Sequence, residues 1–404
     1  MRKAFLTVAS LLATITSTSG RPYARAPIDE ATLTKVRANA IASAQRSWEV
    51  GTLTEALLEY SWPQLSVFND AGSIPPARQL FTSNYPVDVV KIATDIVEKK
   101  PNDSLALVQD GSVGDPASIG FAVILANWTR NDTSDNRFSV AAGSQLNYVL
   151  SHSPHTDDGA ISHRTEQVQL WSDFVYMVPP FIAYFGAYDQ PDAKKWLLQA
   201  AYDQCRLYRK YLQDSTTNLW KHIELGSWQD EKLWATGNGW AAAGMFRVLQ
   251  TIRNSDVSDS FLDQQQDLLN WIEEIVKTAW NYQTSAGALR NVIDESDSFM
   301  DTASTALIAS VTFRLAVLKG DSSAYISSAN AAYDFVHRNI DNDGWLRNTV
   351  DPLTFYTPSS SDQPSPEAQS FVLLLEAARR DFQDWVDSEA TLPSGGMVIN
   401  KLYL

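Results

Sequence analysis

The residues best suited to chemistry lie in the segment His163–Phe181, where the carboxylate of Asp173 stands among large apolar side chains. Trp171 and Tyr176 flank this carboxylate, and Met177 follows. A carboxyl group that aromatic neighbours shield from water has a raised pKa, which suits a general acid. Asp is also a common residue at the start of a helix, where it caps free backbone N–H groups. The segment therefore offers either a proton donor or a helix cap.

A second segment, Trp234–Met245, places two tryptophans around the sequence Gly-Asn-Gly. The glycines on either side of Asn238 allow a tight turn into a helix that begins at Trp240. Trp234 and Trp240 would then flank a sugar ring. The spacing is not a dinucleotide-binding fingerprint, because no strand precedes it and the third glycine is missing. A helix cap with small residues for close helix packing explains the segment equally well.

The five histidines show no metal-binding spacing such as His-Glu-x-x-His, and we expect neither a metal nor a cofactor. His163 precedes Arg164, and His222 follows Lys221, at corresponding positions of a repeat. This recurrence predicts an electropositive patch suited to an anionic ligand, and the alternative is ordinary charge on two surface loops. No Gly-x-Ser-x-Gly sequence supports a serine hydrolase of that type.

The elements that must position these residues are helices. Apolar residues recur with helical spacing through most long segments, including 197–212 and 261–279. Turns with Gly or Asn, each followed by a short extended piece, interrupt the helices at 159–164, 218–223, 287–292 and 344–349. The repeat length of about 60 residues corresponds to two helices with their connections, an αα-hairpin.

With two looser copies upstream, the repeat predicts six hairpins between residues 30 and 386. Repeated hairpins either stack as an open solenoid or close into a ring. The irregular period and the lack of polar capping repeats favour closure. We therefore predict an all-α fold, an (α/α)6 barrel built from six αα-hairpins. The loops at one end of such a barrel converge on its axis, which would bring the polar clusters at the helix starts into one pocket.

The composition excludes several classes of function. The 404 residues carry a formal net charge of −15, which argues against a nucleic-acid partner. Cys205 is the only cysteine, so the chain forms no internal disulfide and no metal site built from several thiolates. With 44% hydrophobic and 20% charged residues, the composition is that of a globular protein.

The N-terminus predicts a secretory route. A basic start and an apolar run over residues 4–15 are typical of a signal peptide, which we place at residues 1–20. Residues 21–404 would then form a single catalytic domain, and no later segment reaches the ~20 apolar residues of a membrane span. Three N-x-S/T sequons, at Asn102, Asn127 and Asn131, fit a secreted glycoprotein. We therefore expect an extracellular protein without a membrane partner.

Several of these segments together resemble a known family of enzymes. The resemblance spans roughly residues 35–386 and depends on the motifs at 115–120, 157–164, 170–181, 219–222 and 234–240. At these motifs the chain is similar to the unsaturated rhamnogalacturonyl hydrolases of glycoside hydrolase family 105, and to the related unsaturated glucuronyl hydrolases of family 88. It looks most like their fungal secreted members.

The resemblance implies the (α/α)6 barrel and a small oligosaccharide substrate that a lyase has produced, with a Δ4,5-unsaturated uronic acid at its non-reducing end. In this family a carboxylic acid protonates C4 of the enol ether and water adds at C5. The hemiketal that results then rearranges and expels the aglycone. By motif match, Asp173 is the general acid/base and Asp115 is a second carboxylate that contacts the substrate.

The same match assigns the substrate-binding positions, which are His163, Arg164, Trp171, Tyr176, Met177, His222, Trp234, Asn238 and Trp240. Two positions depart from the family pattern. Thr236 stands where bacterial relatives commonly carry Arg, and Asp301 begins an altered form of a Glu-Thr-Ser-like segment. The motif therefore does not identify the group that binds the carboxylate of the uronic acid.

Two other kinds of function remain open from the sequence. Asp115 and Asp173 would also serve as the carboxylate pair of an ordinary inverting glycosidase, and a polysaccharide lyase on the same barrel is related to that alternative. A carbohydrate-binding barrel without catalytic activity is the third interpretation. In each case we expect a monomer or a weak oligomer.

Overall fold

A computed structural model describes residues 27–69, 73–76, 86–188, 191–321 and 325–391, and the signal peptide predicted at residues 1–20 lies outside them. The helices are α1 Glu30–Ser43, α2 Ser47–Ser61, α3 Val87–Lys99, α4 Gly114–Ser118, α5 Gly120–Thr129, α6 Arg137–Asn147, α7 Phe174–Met177, α8 Pro179–Ala187, α9 Pro191–Leu212, α10 Ala235–Arg253, α11 Leu262–Asn281, α12 Thr302–Lys319, α13 Ile326–Arg338 and α14 Pro366–Thr391. The strands are β1 Leu170–Trp171, β2 Ile223–Glu224, β3 Leu289–Arg290 and β4 Met300–Asp301.

The helices form two concentric layers. In the inner layer α2 contacts α5, α5 contacts α8, α8 contacts α10, α10 contacts α12, α12 contacts α14, and α14 returns to α2. Each inner helix follows an outer helix in the chain, and the outer helices are α1, α3, α6, α9, α11 and α13. The predicted (α/α)6 barrel of six αα-hairpins is therefore confirmed.

Burial separates the two layers. The inner helix α12 is apolar and long enough to cross a membrane by composition, but 89% of it is buried inside the fold, as in a core helix. The outer helix α11 instead buries one stripe, which includes Leu268, Ile272 and Val276. Cys205 lies on the buried side of the outer helix α9, as its place in the apolar pattern predicts.

The four recurring turns adopt the conformation that their residue types favour. Gly159, Asn218, Gly287 and Gly344 all have positive φ angles, which Gly and Asn tolerate better than other residues. The antiparallel pair β1–β2 ties two successive connections together, while β3 and β4 pair within the single connection between α11 and α12. The connections hold the N-terminal ends of the inner helices side by side, and the polar clusters predicted from the repeat lie at those ends.

Candidate active site

A cleft of about 380 Å³ opens at the N-terminal end of the inner ring. Its walls come from the starts of α2, α4, α7, α10 and α14 and from the loop before α14. The lining residues are Gln45, Arg46, Ser47, Trp48, Val108, Asp110, Asp115, His163, Arg164, Trp171, Asp173, Met177, Trp234, Pro352, Leu353, Phe355 and Glu367. The expected convergence of the helix starts on one pocket is therefore what the structure shows.

Asp173 is the residue that precedes α7, and its side chain is 14% exposed at the cleft. The Oγ of Ser172 donates a hydrogen bond to Oδ2 of Asp173 at 3.2 Å. The Nε2 atom of His222 lies 3.6 Å from the same oxygen. Burial raises the pKa of Asp173, while a positive charge on His222 and the bond from Ser172 act in the opposite direction. The side chain makes no capping bond to the helix, so its carboxyl group is available for proton transfer.

Asp115 occupies the first turn of α4 on the cleft wall and is also 14% exposed. Its backbone N–H donates to Oγ of Ser112 at 3.0 Å, which fixes the start of the helix. Burial raises the pKa of Asp115 well above its usual range, and the nearby charges of Asp110 and Asp173 add to this effect. The cleft therefore holds two carboxyl groups that both favour the protonated form.

His163 lies between these carboxyl groups and the aromatic wall. Its ring stacks on Trp171 with 4.9 Å between the ring centres, and its Nε2 lies 3.6 Å from Oδ1 of Asp115. Burial, with smaller effects from the charges of Arg164 and His222, lowers the pKa of His163 to about 3. His163 is therefore neutral in the working range of most enzymes, and it does not supply positive charge to the predicted electropositive patch.

The cations on the cleft wall, among the residues that the structure describes, are Arg164 and Arg46. The side chain of Arg164 is 31% exposed, with its Nε 3.1 Å from Oε1 of Glu166. That of Arg46 is 50% exposed, and its guanidinium stands 5.4 Å from the ring centre of Trp48. Lys221 pairs instead with Glu224, at 2.6 Å, and does not line the cleft.

Aromatic side chains form one side of the cleft. Trp171 lies 5.7 Å from Phe355 and 5.6 Å from Trp228, in both cases edge to face. Trp234 donates from its Nε1 to Oδ1 of Asn291 at 3.0 Å, so its indole is held in a fixed orientation. The predicted positions Trp171, Met177 and Trp234 all line the cleft.

Four of the predicted substrate-binding residues do not line the cleft, and they are Tyr176, His222, Asn238 and Trp240. The ring of Trp240 is 1% exposed and packs against Tyr176, 4.5 Å away, and against Phe371, 4.8 Å away. Tyr176 is equally buried and faces the guanidinium of Arg247, 5.0 Å from its ring centre. The expectation that these two aromatic rings contact a sugar is wrong for this arrangement, because they point into the barrel core.

Asn238 has a structural role as well. Its amide accepts a hydrogen bond from the backbone N–H of Trp220 at 2.8 Å and donates to the carbonyl of Trp234 at 2.9 Å. The helix α10 begins at Ala235, so Gly-Asn-Gly forms its first turn and not a separate turn before Trp240. Asn238 is fully buried and does not line the cleft, and its predicted substrate contact stays a prediction.

The two departures from the family pattern are also buried. Thr236 has no exposed surface, and its Oγ1 lies 3.5 Å from Oδ2 of Asp301. The carboxyl group of Asp301 caps α12 by accepting from the backbone N–H of Ser304 at 2.7 Å, and it accepts from that of Val350 at 2.8 Å. Neither residue lines the cleft.

Sequence reasoning did not assign several residues of the cleft. Glu367 is 1% exposed and accepts a hydrogen bond from Nε1 of Trp48 at 2.9 Å. Burial raises the pKa of Glu367 well above its usual range, and the charges of Glu49 and Asp173 raise it further. The hydrogen bond from Trp48 lowers it. The signal was present, because Glu367 belongs to a polar cluster that opens an inner helix. Phe355 lies in an irregular loop without such a signal.

The arrangement can hold a small ring between aromatic side chains while a neutral carboxyl group gives up a proton. Asp173 is placed where it could act as that acid, Asp115 is the second carboxyl group, and the cations Arg46 and Arg164 can bind an anionic group of a ligand. These features match the requirements of acid-catalysed chemistry on an acidic sugar.

Comparison with known proteins identifies the family. Residues 88–374 match the family model described as Glycosyl Hydrolase Family 88. No curated protein matches this chain.

Solved structures share the fold at low identity. A possible member of glycoside hydrolase family 105 from Klebsiella pneumoniae is 15% identical, with a TM-score of 0.69 over 93% of this chain and 100% of that one. A family 88 glycosyl hydrolase from Bacteroides vulgatus is 14% identical, with a TM-score of 0.63 over 87% of this chain and 98% of its own. An unsaturated glucuronyl hydrolase specific for heparin is 13% identical, with a TM-score of 0.59 over 88% of this chain and 99% of its own.

Proposed function

The chain belongs to glycosyl hydrolase family 88 and is a glycoside hydrolase, and from this premise we propose that it removes a Δ4,5-unsaturated uronic acid from the non-reducing end of a lyase-generated oligosaccharide. The observation that carries the proposal is the buried carboxyl group of Asp173, whose pKa burial raises, at the cleft surface. An enol ether needs a proton donor at C4 before water can add, and this group meets that need. The unsaturated glucuronyl hydrolase among the similar structures supports the same reaction class.

In the proposed reaction Asp173 transfers its proton to C4 of the C4=C5 double bond. The π electrons form the new C–H bond, and the positive charge at C5 is shared with the ring oxygen. Water then adds at C5 and returns one proton to the carboxylate of Asp173. The hemiketal opens and the aglycone leaves, so that the acid is restored for the next cycle.

The other cleft residues have roles that follow from their charge. Asp115, whose pKa burial raises well above its usual range, lies on the cleft wall where it can hydrogen-bond to a sugar hydroxyl. Arg164 and Arg46 bind the carboxylate of the uronic acid, since Thr236 is buried away from the cleft. Trp171 provides an apolar face for the sugar ring, and the almost fully buried Trp234 is part of the cleft wall.

The inverting-glycosidase alternative has weaker support from the cleft. An inverting mechanism needs one carboxylic acid and one ionised carboxylate that activates water. Burial raises the pKa of both Asp115 and Asp173, which favours the role of an acid over that of an ionised base at each position. Saturated and unsaturated disaccharides with the same aglycone separate the two mechanisms, because only the hydration mechanism requires the double bond.

The experiment that tests the proposal follows the ultraviolet absorbance of the enol ether in a panel of unsaturated disaccharides. We expect the absorbance to fall with the native protein and to stay constant with Asp173→Asn. Asp343→Asn is a matched control, because Asp343 is exposed and lies outside the cleft. A constant absorbance on every unsaturated substrate with the native protein would contradict the proposal. A third outcome would favour a carbohydrate-binding barrel. In that case the native protein is inactive, and the native protein and Asp173→Asn bind the disaccharides equally well.

The place of action is a proposal from the sequence. The apolar start at residues 1–20 and the three sequons support secretion, where lyases would supply the substrate in the surrounding medium. Detection of the mature chain in the culture medium, with its N-terminus sequenced, tests both the export and the cleavage position.

A further inference from the structure

His222 is a buried histidine that stands directly behind Asp173. Its side chain has no exposed surface and does not line the cleft. The Nδ1 atom lies 2.8 Å from Oδ2 of Asp230, while Nε2 lies 3.6 Å from Oδ2 of Asp173 and has no hydrogen-bond partner. The predicted substrate contact of His222 is thus replaced by contacts with two carboxyl groups on opposite sides of its ring.

Asp230 determines which nitrogen of His222 carries the proton. Burial acts to raise the pKa of Asp230, but hydrogen bonds from His222 and from the hydroxyl of Tyr356 lower it overall. An ionised carboxylate only accepts hydrogen bonds, so Nδ1 of His222 must be the donor. The backbone N–H of Lys232 also donates to Asp230, at 3.3 Å from Oδ1, which fixes the orientation of the carboxylate.

The surroundings of Nε2 favour a nitrogen without a proton. An N–H at this position would be a buried donor without an acceptor within hydrogen-bond distance, which costs about 1–3 kcal/mol. The rings of Trp234, Phe355 and Trp171 surround the imidazole, with centres 4.5, 4.7 and 5.5 Å away, so aromatic side chains enclose it on several sides. The nitrogen that faces Asp173 is therefore the one with a lone pair.

We propose that Tyr356 and Asp230 hold His222 as the neutral Nδ1–H tautomer, so that the Nε2 lone pair faces Asp173 and keeps this carboxyl group in its acid form. A lone pair opposite Oδ2 repels the negative charge of a carboxylate and does not repel a carboxylic acid. At 3.6 Å the contact is longer than a hydrogen bond, so the acidic proton is not held by the histidine and remains free for transfer. His222 is thus a positioning residue for the acid.

Other ionisable groups act on Asp173 in the same direction. Among the described residues, the charges of Asp115, Tyr208, Tyr356 and Glu367 interact with that of Asp173. Each would carry negative charge when ionised, and each would therefore favour the protonated form of Asp173. A change confined to Asp230 leaves all of them in place and reverses only the tautomer of His222.

The decisive test reads the tautomer directly and needs no substrate. The sequence has five histidines, so their ¹⁵N imidazole signals can be resolved by NMR, with His222→Gln to assign the signal of interest. We expect the native protein to show Nδ1 protonated and Nε2 unprotonated. In Asp230→Asn the amide donates to Nδ1, and the proton should move to Nε2. An imidazolium or an Nε2–H tautomer in the native protein at neutral pH overturns the inference.

A kinetic test depends on the proposed hydrolase function. In Asp230→Asn the Nε2–H donates toward Asp173 and stabilises its carboxylate, so the alkaline limb of the kcat profile moves to lower pH by about one unit. Above that limb kcat falls about tenfold, and KM stays constant because the cleft lining is unchanged. Asp343→Asn is the control, and a profile of Asp230→Asn identical to the native one contradicts the inference.

Tyr356→Phe provides a second variant in case Asp230→Asn does not fold. It removes one donor from Asp230 without a change of volume, and we expect the native tautomer with a smaller shift of the same limb. If the native protein shows no activity on unsaturated substrates, the proposed function is contradicted. The inference about the tautomer of His222 is not affected, because the NMR experiment tests it without a substrate.

Discussion

The helix that carries the Gly-Asn-Gly motif packs so closely on the Asp173 segment that one added methyl group should disturb both stability and catalysis. A Cβ atom at Gly244 of α10 would lie 2.7 Å from the Cα of Tyr176 and closer still to the carbonyl oxygen of Val175. Carbon atoms in contact are normally about 3.5–4.0 Å apart, so Gly244→Ala requires a backbone shift of about 1 Å. The displaced segment is α7, which begins directly after Asp173.

The magnitude follows from two opposing effects. Overpacking costs about 1–3 kcal/mol, and we take about 3 kcal/mol because the obstructing atoms are backbone. Alanine is favoured over glycine inside a helix by about 1 kcal/mol, so the net loss for Gly244→Ala is about 2 kcal/mol. Gly143 of α6 is the matched control, because no atom lies within 4 Å of its added Cβ, and Gly143→Ala should gain about 1 kcal/mol.

Guanidinium unfolding of the two variants and the native protein measures this difference, which we expect to be about 3 kcal/mol in the free energy of unfolding. Gly244→Ala should also lower kcat, because the shift of α7 moves Asp173 relative to the bound sugar, while Gly143→Ala should not. Equal stabilities for the two variants would refute the close packing of α10 on α7. A destabilised Gly244→Ala with native kcat would refute the idea that this contact positions the acid.

Three further predictions follow. Arg46→Met should raise KM for an unsaturated uronate about fivefold at constant kcat, since a half-exposed ion pair contributes up to about 1 kcal/mol, whereas KM for the methyl ester should not change. Burial, opposed by Arg247, raises the pKa of Glu55 to about 7 from the ordinary 4.5. The stability that this shift contributes is therefore complete below pH 4.5 and is lost as the pH rises through 7. Between these pH values, Glu55→Gln should reduce the slope of the free energy of unfolding against pH by at most about 1.4 kcal/mol per pH unit. After secretion from a eukaryotic host, peptide mass spectrometry should find a glycan on the exposed Asn131 and none on Asn127, whose Oδ1 is buried on α5.

The barrel could be predicted from the sequence because its repeat depends on turn residues and apolar stripes, which are local features of each segment. Gly159 and Asn218 stand at turns where a positive φ angle is required, and such residues mark a turn without knowledge of the partners. The apolar stripe of α11 likewise reports on one buried face. The contact of α14 with α2 closes the ring and joins residues more than 300 positions apart. No local pattern predicts this contact, so ring closure could be inferred only from the count of six hairpins.

The site was predicted where a residue's role depends on its own segment. Asp173 and Trp171 were identified because the helix start and the aromatic neighbour are adjacent in sequence. Trp240 was misassigned, since the face of α10 that points to the core depends on how that helix packs against its neighbours. Arg46 reaches the cleft from the start of α2, and Asp230 acts through His222, so both depend on contacts between repeats that no local pattern reveals.

The charge of the cleft differs from that of the whole chain, and this difference makes an anionic substrate compatible with a net charge of −15. Burial raises the pKa of Asp115, Asp173 and Glu367, which disfavours negative charge on these three carboxyl groups of the cleft. Arg46 and Arg164 remain charged at any working pH, because a guanidinium does not lose its proton in proteins. The burial that raises the pKa of the proposed acid therefore also weakens the repulsion that a uronate substrate of the proposed kind would meet in the cleft. A substitution that opened the cleft to water would weaken both effects at once, lowering kcat through Asp173 and raising KM through the newly ionised carboxylates.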